Sequence, residues 1–287
     1  MAVVLITGCS SGFGLQAALA FARNGDRVVA TMRDLSRRGA LDAAAQAEAL
    51  SIELVRLDVT APESFADAVA DVVRKQGRLD VLINNAGINR IGAFEDTSEA
   101  TLREVLEVNL FGPLLLVQAV LPVMRRQGGG CIINLSSLSG VAGLPGDVSY
   151  TASKFALEGA TEALRHEVDR WGIRVALVEA GLHATDIFAD TLRGPLPIPA
   201  ESPYRPLIEQ RMTQLGARMA DAFDPRPVGE LLVEIAESDS AALRWPADAV
   251  AKRIMATLFA QGDAARDAFL REVAGSDWWS RGEPAAG

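Results

Sequence analysis

The sequence predicts a doubly wound α/β fold, in which a parallel sheet is covered by helices on both faces. Six short and nearly continuous apolar runs alternate with longer stretches of helical periodicity. Continuous apolar runs are typical of parallel strands, because helices bury both faces of such a sheet. The β-α-β-α order then requires right-handed crossovers. The predicted strands are Val3–Thr7, Arg27–Thr31, Ile52–Leu57, Val81–Asn84, Cys131–Leu135 and Arg174–Glu179.

Five helices are predicted between these strands. Pro62 stands near a helix start, where its fixed φ and missing N–H are tolerated. No internal repeat divides the chain, and we interpret residues 1–287 as a single catalytic domain. The predicted helices lie near Gly14–Asn24, Leu35–Leu50, Pro62–Gln76, Ser98–Arg126 and Tyr150–Trp171.

A proline-rich stretch follows the last predicted strand. Five of the residues from Gly194 to Pro206 are proline, a density that excludes a regular helix or strand. Long connections of this kind are often functional, so we interpret residues 186–225 as a substrate lid, with a plain surface loop as the alternative. Residues 263–287 are interpreted as a C-terminal tail. Trp278 and Trp279 of this tail are expected to pack on the body of the protein rather than on a partner subunit.

The composition favours small-molecule chemistry in a soluble, cytoplasmic protein. Apolar residues make up 49% of the chain and the net charge is −9, so the basic excess of a nucleic-acid-binding surface is absent. Cys9 and Cys131 are too few for a disulfide framework or a four-ligand zinc site, and no metal site is predicted. The N-terminus does not resemble a secretory leader. The longest apolar run, Leu110–Met124, is shorter than the ~20 residues that span a bilayer.

The first strand runs into a glycine-rich turn that precedes a helix. The turn reads Thr7-Gly8-Cys9-Ser10-Ser11-Gly12-Phe13-Gly14, a G-x-x-x-G-x-G spacing. Glycine permits a positive φ and lets the backbone approach a pyrophosphate at the helix N-terminus. At this place in an α/β pattern, the turn predicts a Rossmann-like dinucleotide site. The predicted contacts are Gly8, Ser10, Ser11, Gly12, Phe13 and Gly14.

The same turn also spells G-x-S-x-G from Gly8 to Gly12, the nucleophile elbow of a serine hydrolase. That chemistry needs an acid and then a histidine further along the chain. The chain has two histidines: His166 falls in a helical stretch, and His183 follows no loop rich in acids. The hydrolase is therefore the less favoured alternative.

The end of the second strand bears on the choice of cofactor. A fold that selects NAD places an acid there to bind the ribose 2′-hydroxyl. Met32 stands at that position, and Arg33 follows it. Because a guanidinium fork suits a phosphate, the sequence favours NADP(H), which carries a 2′-phosphate. Asp34 keeps NAD(H) as an alternative, since its carboxylate could reach the ribose instead.

Four polar residues predict proton-transfer chemistry. Tyr150 and Lys154 are four positions apart at a helix start and share one face. A phenol has a pKa of ~10, and a nearby ammonium favours the phenolate, so Tyr150 is predicted to exchange the proton of a substrate oxygen. Ser137, at the carboxyl end of the fifth strand, is predicted to polarise that oxygen. Asn109 is predicted to anchor a water that relays protons to Lys154.

In this combination the motifs resemble the short-chain dehydrogenase/reductase family over nearly the whole chain. The matching positions are the Thr7–Gly14 turn, Asp58-Val59, Asn84-Asn85-Ala86-Gly87, Asn109, Ser137, Tyr150 and Lys154. The resemblance implies that Asp58 and Val59 contact the adenine, and that Asn85, Ala86 and Gly87 border the ribose. It also implies that Tyr150 and Lys154 contact the cofactor, with Lys154 on the nicotinamide ribose.

After the sixth strand, the family usually has Pro-Gly and then a threonine that holds the nicotinamide amide. Here Ala180 replaces the proline, while Gly181 and Thr185 keep their places. Gly181 and Thr185 are accordingly assigned to cofactor binding by resemblance, and the conformation of this loop is left open.

Within the family, the chain is similar to the 17β-hydroxysteroid dehydrogenase and retinol dehydrogenase group. The similar segments are Val4–Gly12, Ala30–Leu35, Ser153–Gly159 and Leu243–Trp245. The resemblance implies hydride transfer between NADP(H) and a carbonyl or secondary alcohol, with an apolar substrate of steroid, retinoid or fatty type. An NADP(H)-binding sensor without catalysis is the alternative, which the complete Ser-Tyr-Lys set disfavours.

The resemblance further implies a homodimer or homotetramer, formed through the helices at Ser98–Arg126 and Tyr150–Trp171. Apolar residues near the predicted site are candidates for the substrate pocket, with ordinary core positions as the alternative. These candidates are Leu138, Leu144, Val148, Leu182 and Phe188.

Overall fold

The computed structural model describes residues 1–193 and 196–283, and it contains the predicted doubly wound sheet. The described strands are all parallel: β1 Val3–Ile6, β2 Arg27–Met32, β3 Ile52–Arg56, β4 Val81–Asn84, β5 Gly130–Leu135, β6 Ile173–Glu179 and β7 Arg244–Pro246. Their spatial order is β3-β2-β1-β4-β5-β6-β7. The order reverses between β1 and β4, and sheets of this kind bind ligands at the carboxyl ends beside such a reversal.

Helices connect the strands and cover both faces of the sheet. The described α-helices are α1 Gly12–Arg23, α2 Gly39–Ala47, α3 Phe65–Gln76, α4 Glu99–Leu106, α5 Gly112–Gln127, α6 Val148–Val168, α7 Asp186–Arg193, α8 Arg205–Arg218, α9 Arg226–Glu237, α10 Ala249–Ala260, α11 Asp263–Ala274 and α12 Asp277–Ser280. The predicted helix from Leu35 begins as a 3-10 turn, Leu35–Arg38. The predicted helix from Ser98 is interrupted by a π-helical turn, Glu107–Phe111.

Two apolar cores lie on opposite faces of the sheet, and the first strand contributes to both. Val4 and Ile6 face the core beneath α1 and α9. Val3 and Leu5 face the core beneath α3 and α5. Since neighbouring side chains of a strand point to opposite faces, a strand buried on both sides must be apolar at every position. This is why the continuous apolar runs predict the strands correctly.

Six strands coincide with predicted ones, and β7 does not. It has three half-buried residues, Arg244–Pro246, and pairs with β6 at the edge of the sheet. A strand this short, with an arginine and a proline in it, has no apolar run that the sequence could reveal. Cys9 and Cys131 are both buried and unpaired, as expected for reduced thiols.

The run Glu99–Gln127 would qualify as a membrane-crossing helix by length and composition, because an 18-residue window within it has a mean hydropathy of 1.7. Core helices of soluble proteins pass the same test, so this finding is weak evidence for a membrane span. Leu116, Val117 and Val120 of this run are buried against the sheet.

The predicted lid contains two helices, α7 and α8, joined by a connection whose described part runs from Leu196 to Tyr204 without regular helix or strand. Gly194 and Pro195 of the predicted lid, and residues 284–287 of the predicted tail, lie outside the described residues. The described tail packs on the lid. The Trp278 indole nitrogen donates to Gln210 Oε1 at 2.7 Å, and the Trp279 ring lies 6.2 Å from that of Tyr204.

Candidate active site

The carboxyl ends of the strands open into a cleft of about 700 Å³. Of the residues predicted for catalysis or cofactor binding, Gly14 and Asn109 are buried behind the wall of this cleft, and the others line it. The lining residues among the predicted ones are Gly8, Ser10, Ser11, Gly12, Phe13, Arg33, Asp58, Val59, Asn85, Ala86, Gly87, Ser137, Tyr150, Lys154, Gly181 and Thr185. The fold therefore brings together side chains that are far apart in the sequence.

The three glycines of the turn have little or no room for a side chain. Gly8 and Gly12 have φ values of +72° and +56°, the region that favours glycine. A Cβ at Gly14 would lie 2.3 Å from Gly8 O and 2.4 Å from Asn85 Nδ2, so α1 packs directly against the turn. The Ser11 side chain does not cap α1, which leaves the N–H groups of the first helical turn free to bind an anion. This cradle fits the pyrophosphate of a dinucleotide.

Asn85 ties the neighbouring strand to the same turn. Its Nδ2 donates to Thr7 O at 2.8 Å and to Gly8 O at 3.1 Å. In return, Thr7 Oγ1 accepts from the backbone N–H groups of Asn85 and Ala86. These bonds hold the ends of β1 and β4 together on the floor of the cleft.

Arg33 and Asp34 follow β2 at the adenosine end of the cleft. Asp34 Oδ1 accepts from Ser36 N at 2.9 Å, and the same bond holds the pKa of the carboxyl below its usual value. Asp34 therefore caps the turn Leu35–Arg38. The Arg33 side chain is exposed, and no described residue forms a hydrogen bond or ion pair with its guanidinium. Arg37, which sequence reasoning missed, also lines this end.

Tyr150, Ser137 and Lys154 meet on the floor of the cleft, and all three are buried. Ser137 follows β5 and interacts with the Tyr150 hydroxyl through its own. Lys154 Nζ donates to Leu135 O at 2.7 Å and lies 5.8 Å from the centre of the Tyr150 ring. The predicted helical face is thus present, and the end of β5 holds both partners of the tyrosine.

Burial dominates the proton affinities of this pair. It raises the pKa of Tyr150 to about 12, with the Ser137 hydrogen bond acting against it and Asp147 adding to it. It lowers the pKa of Lys154 to about 8, while Glu158 acts against it. Loss of water on burial is the largest influence on both groups. At neutral pH the pair is a protonated phenol beside an ammonium.

Asn109 lies in the π-helical turn and is fully buried. Its Nδ2 donates to Ile88 O at 2.9 Å and to Ser153 Oγ at 3.1 Å, and its Oδ1 accepts from Ile88 N. The Asn109 side chain therefore joins the loop after β4 to α6. A Cβ at Gly87 would lie 3.4 Å from Asn109 Oδ1 and 4.0 Å from Lys154 Nζ, so both groups border the same small space. π-Helical turns are frequent at functional sites.

Asp248 fixes the loop after β6, where the family's proline is replaced. Its Oδ2 accepts from Gly181 N at 2.9 Å, and its Oδ1 accepts from Ala251 N at the start of α10. A Cβ at Gly12 would lie 3.3 Å from the Thr185 side chain, which places Thr185 directly against the glycine turn. An aspartate before an apolar helical run is a helix-capping signal. That signal marks the start of α10 but cannot reveal the bond to Gly181.

His183 does not contact the glycine turn's serines in the way a hydrolase requires. It is buried between the rings of Phe13 and Phe223, with Nδ1 3.3 Å from Gly181 O. Among the described residues, no hydrogen bond joins His183 to Ser10.

Lid residues form the substrate end of the cleft. Ile187 and Phe188 of α7 line it, as does Leu196, whose side chain would contact a Cβ at Gly92. A buried ion pair, Arg211 to Asp147 at 2.9 Å, joins α8 to the segment that begins α6.

The predicted apolar pocket residues are largely misplaced. Phe188 lines the cleft, but the other four candidates are not among its lining residues. Leu182 packs into the lid core with Ile208, and Leu138 packs with Met255. The turn after Ser137 directs the chain away from the cleft, towards α10, which the sequence pattern did not show. The four misplaced candidates are Leu138, Leu144, Val148 and Leu182.

A glycine cradle beside a buried Tyr-Lys-Ser set defines a dinucleotide-dependent oxidoreductase. Residues 2–195 match the family model for short chain dehydrogenases. The chain is 36% identical over 260 residues to the uncharacterized oxidoreductase YusZ of Bacillus subtilis, covering 89% of this chain and 91% of the relative. It is 36% identical over 251 residues to 17-beta-hydroxysteroid dehydrogenase type 1 of Mus musculus, covering 85% and 72%. Retinol dehydrogenase 8 of Homo sapiens is 42% identical over 187 residues, covering 64% and 59%.

Solved structures agree with these relatives. A short-chain dehydrogenase from Streptomyces avermitilis is similar with a TM-score of 0.77 and 33% identity, covering 98% of this chain and 97% of that one. A metagenomic short-chain oxidoreductase in complex with NADP has a TM-score of 0.68 and 27% identity, covering 85% and 96%. The chain therefore belongs to the short-chain dehydrogenase/reductase family and is an oxidoreductase of that nicotinamide-dependent family. The resemblance to the 17β-hydroxysteroid and retinol dehydrogenase group is confirmed.

Proposed function

We propose that this enzyme interconverts a carbonyl and a secondary alcohol with NADP(H), using Tyr150 as proton donor and acceptor. One observation carries the proposal. Ser137, Tyr150 and Lys154 meet on the floor of the same cleft that the glycine turn lines. A bound nicotinamide cofactor supplies or accepts the hydride. A non-catalytic sensor would not need three buried polar groups at one point, since burying such groups costs stability.

Reduction of a carbonyl needs a proton donor, and Tyr150 can provide one at neutral pH. Tyr150 is a neutral phenol, because burial raises its pKa to about 12, so it is ready to donate a proton to a carbonyl oxygen. The Ser137 hydroxyl lies beside the tyrosine hydroxyl and polarises the same oxygen. The Lys154 ammonium stabilises the phenolate that remains, and Asn109 supports the relay that returns a proton to it. Oxidation uses the same groups in reverse.

NADP(H) is proposed as the cofactor because Met32 stands where an NAD enzyme has an acid, and the Arg33 guanidinium beside it is available for a phosphate. Asp34, the residue that kept NAD(H) as an alternative, is committed to capping the next turn. The metagenomic relative was solved with NADP, which supports the same choice.

The substrate is proposed to be an apolar ketone or alcohol of steroid, retinoid or fatty type. Ile88, Ile187, Phe188 and Leu196 line the cleft beyond the catalytic residues. The names of two relatives, a 17-beta-hydroxysteroid dehydrogenase and a retinol dehydrogenase, point to apolar substrates. The lid spanning residues 186–225 is proposed to close over this end.

We further propose a homodimer or homotetramer that works in the cytoplasm. Phe111 and Phe155, on the π-helical turn and on α6, expose 47% and 42% of their surface. Exposed aromatic residues on these helices suit a subunit interface. Light scattering that finds a monomer at micromolar concentration would contradict this proposal.

The decisive experiment is Tyr150→Phe, measured as NADPH consumption over a panel of steroid, retinoid and small ketones. Turnover is expected to fall by about 10²–10⁴-fold, the usual contribution of a positioned acid. NADPH affinity, measured by fluorescence titration, should stay within a few-fold of wild type. Tyr204→Phe is the matched control, because the chain's other tyrosine bonds to Glu95 and lies outside the cleft lining.

Other outcomes separate the alternatives. Substantial turnover in Tyr150→Phe would overturn the catalytic assignment. NADPH binding with no turnover on any carbonyl in the wild type would favour the sensor. Hydrolysis of a nitrophenyl ester that survives Tyr150→Phe would instead favour a serine hydrolase.

A further inference from the structure

A buried cluster of charged residues lies one helical turn beyond Lys154. Glu158 of α6 and Glu179 at the end of β6 have exposed fractions of 3% and 0%. Arg244 of β7 contacts both carboxyls: its Nε lies 2.8 Å from Glu158 Oε2 and 3.9 Å from Glu179 Oε1. The same guanidinium also pairs with Glu162 at 2.8 Å, on the exposed side of the cluster. One cation is therefore shared among three carboxyl groups.

The hydrogen-bonding capacity of this cluster is not filled. Glu158 Oε1 and both Glu179 oxygens lack a hydrogen-bond partner with normal geometry among the described residues, and so does Ser136 Oγ. A Cβ at Gly140 would lie 2.5 Å from Ser136 Oγ and 3.1 Å from Glu158 Oε1, so these two polar atoms border the same point. Buried acceptors without donors are costly, and a donor supplied within the cluster removes that cost.

A proton on one carboxyl supplies such a donor. Two ionised carboxylates cannot both be buried beside a single shared cation without a large cost. Burial and the neighbouring Glu158 raise the pKa of Glu179 to about 8. Burial also raises the pKa of Glu158, while the nearby Ser136 hydroxyl and the Arg244 guanidinium act against that rise. Arg244 lies 2.8 Å from Glu158 but 3.9 Å from Glu179, so the shared cation favours the charge on Glu158, and Glu179 is the member of the pair that carries the proton.

The remaining charge of the pair lies close to the catalytic lysine. Glu158 is four residues after Lys154 on the same helical face. Burial lowers the pKa of Lys154, and Glu158 is the group that acts against this fall. The other polar groups of the cluster are Arg244 from β7, Ser136 from the end of β5 and Glu162 from α6. Of these, Arg244 and Glu162 lie on the side away from the cleft and do not line it.

We propose that Glu179 is held as a neutral carboxylic acid that donates its proton to Glu158, and that the Glu158 carboxylate keeps Lys154 in its ammonium form. Glu158 is then a positioning residue, which acts on the substrate only through Lys154 and Tyr150. The catalytic meaning of this inference rests on the proposed function, because the charge of Lys154 matters only if Tyr150 exchanges a proton with the substrate.

The charge of Lys154 can be followed without turnover. The chain has three lysines, Lys75, Lys154 and Lys252, so ¹³C labelling of lysine Cε gives three NMR signals, which Lys75→Arg and Lys252→Arg assign. The wild-type Lys154 signal is expected to titrate near pH 8. In Glu158→Gln its midpoint should fall by roughly one pH unit, because the opposing charge is lost. In Glu162→Gln, a matched change on the exposed side of Arg244, the midpoint should stay in place.

Glu179→Gln tests whether Glu179 is held as a neutral carboxylic acid. Glutamine keeps a donor without a charge, so the Lys154 midpoint should equal that of wild type. The inference is overturned if Glu179→Gln moves the midpoint as Glu158→Gln does, or if Glu158→Gln leaves it unchanged. A shift in Glu162→Gln as large as that in Glu158→Gln would also overturn it, because any nearby charge would then suffice.

The pH dependence of stability provides a second measurement that does not need the lysine signal. A carboxyl whose folded pKa of about 8 exceeds its usual 4.5 contributes stability that is complete below pH 4.5 and is lost as pH rises to 8. The Tm of wild type should therefore fall more steeply between these pH values than the Tm of Glu179→Gln. Equal slopes would show that Glu179 is already ionised and would overturn the proposal.

Activity then separates this inference from the proposed function. If wild type reduces carbonyls, the alkaline loss of kcat should shift to lower pH in Glu158→Gln and stay in place in Glu162→Gln. If wild type reduces none of the panel, the proposed function fails, while the NMR and Tm measurements still decide the state of Glu158 and Glu179.

Discussion

The two ends of the cleft are built from different interactions. At the nucleotide end, backbones are in contact: Gly14 leaves no room above Gly8, and Asn85 bonds to the same turn. At the substrate end, the lid is joined to the catalytic segment by side chains, above all by the buried pair of Arg211 and Asp147. The nucleotide end is therefore expected to be sensitive to added volume, and the lid to lost charge. One end fixes a cofactor that is common to the family, and the other can change with the substrate.

The largest effect is expected from Arg211→Met, which leaves Asp147 buried without its cation. The two side chains are 11% and 3% exposed, and breaking a buried pair costs about 3–5 kcal/mol. Urea unfolding should show this loss. The double variant Arg211→Met with Asp147→Asn should recover part of it, because the isolated charge is then removed as well.

Arg103→Met is the control for that prediction. Arg103 pairs with Glu99 on the exposed face of α4, where both side chains are about three-quarters exposed, so its loss should cost less than about 1 kcal/mol. If the double variant is as unstable as Arg211→Met alone, the unpaired charge of Asp147 is not the cause of the lost stability. The buried ion pair is then not what holds the lid.

A single added methyl group tests the tight backbone packing at the nucleotide end. In Gly14→Ala the new Cβ would lie 2.3 Å from Gly8 O, and a backbone atom cannot move aside as a flexible side chain can. We expect a loss of about 1–3 kcal/mol in the free energy of unfolding. NADPH affinity should fall by roughly 100-fold, or about 2.7 kcal/mol, because the turn must shift.

Gly216→Ala is the matched change in the lid. Gly216 lies in α8, and among the described residues no atom beyond its own stretch of helix lies within 4 Å of an added Cβ, so alanine should be neutral or stabilising by up to about 1 kcal/mol. Unfolding curves and NADPH titrations of both variants measure the difference. Equal tolerance at the two positions would show that packing is not what distinguishes the nucleotide end.

The difference between the two ends of the cleft also explains which features could be predicted from the sequence. The sheet was predictable because burial on both faces requires apolar residues at every position of a strand such as Val3–Ile6. The nucleotide end was predictable because close backbone contact requires glycine at fixed spacing. Tyr150 and Lys154 were predictable because a helix places residues four apart on one face.

The contacts that the sequence did not predict join residues far apart in the chain, and such contacts leave no local sequence pattern. Asp248 reaches Gly181, and Arg211 reaches Asp147, across 67 and 64 residues. Glu179 ends an apolar strand, where the sequence alone cannot tell a buried acid from one that faces solvent. Leu138 follows Ser137 in sequence, which makes it a pocket candidate, but the turn Leu138–Gly140 directs it away from the cleft.

The smallest predicted effect concerns a charge at the nucleotide end. Backbone packing holds this end together, so loss of a charge should have little effect on stability. Arg33 is exposed, so Arg33→Ala should leave the Tm unchanged. It should weaken NADPH by roughly 10- to 30-fold, the loss of one charge-assisted contact to a phosphate, and leave NADH affinity within about two-fold. Arg38→Ala is the control, because Arg38 pairs with Asp42 and does not line the cleft. Equal losses for NADPH and NADH would show that Arg33 does not bind the 2′-phosphate. If Arg37→Ala instead weakens NADPH selectively, the 2′-phosphate is bound by Arg37, in the turn that follows Arg33.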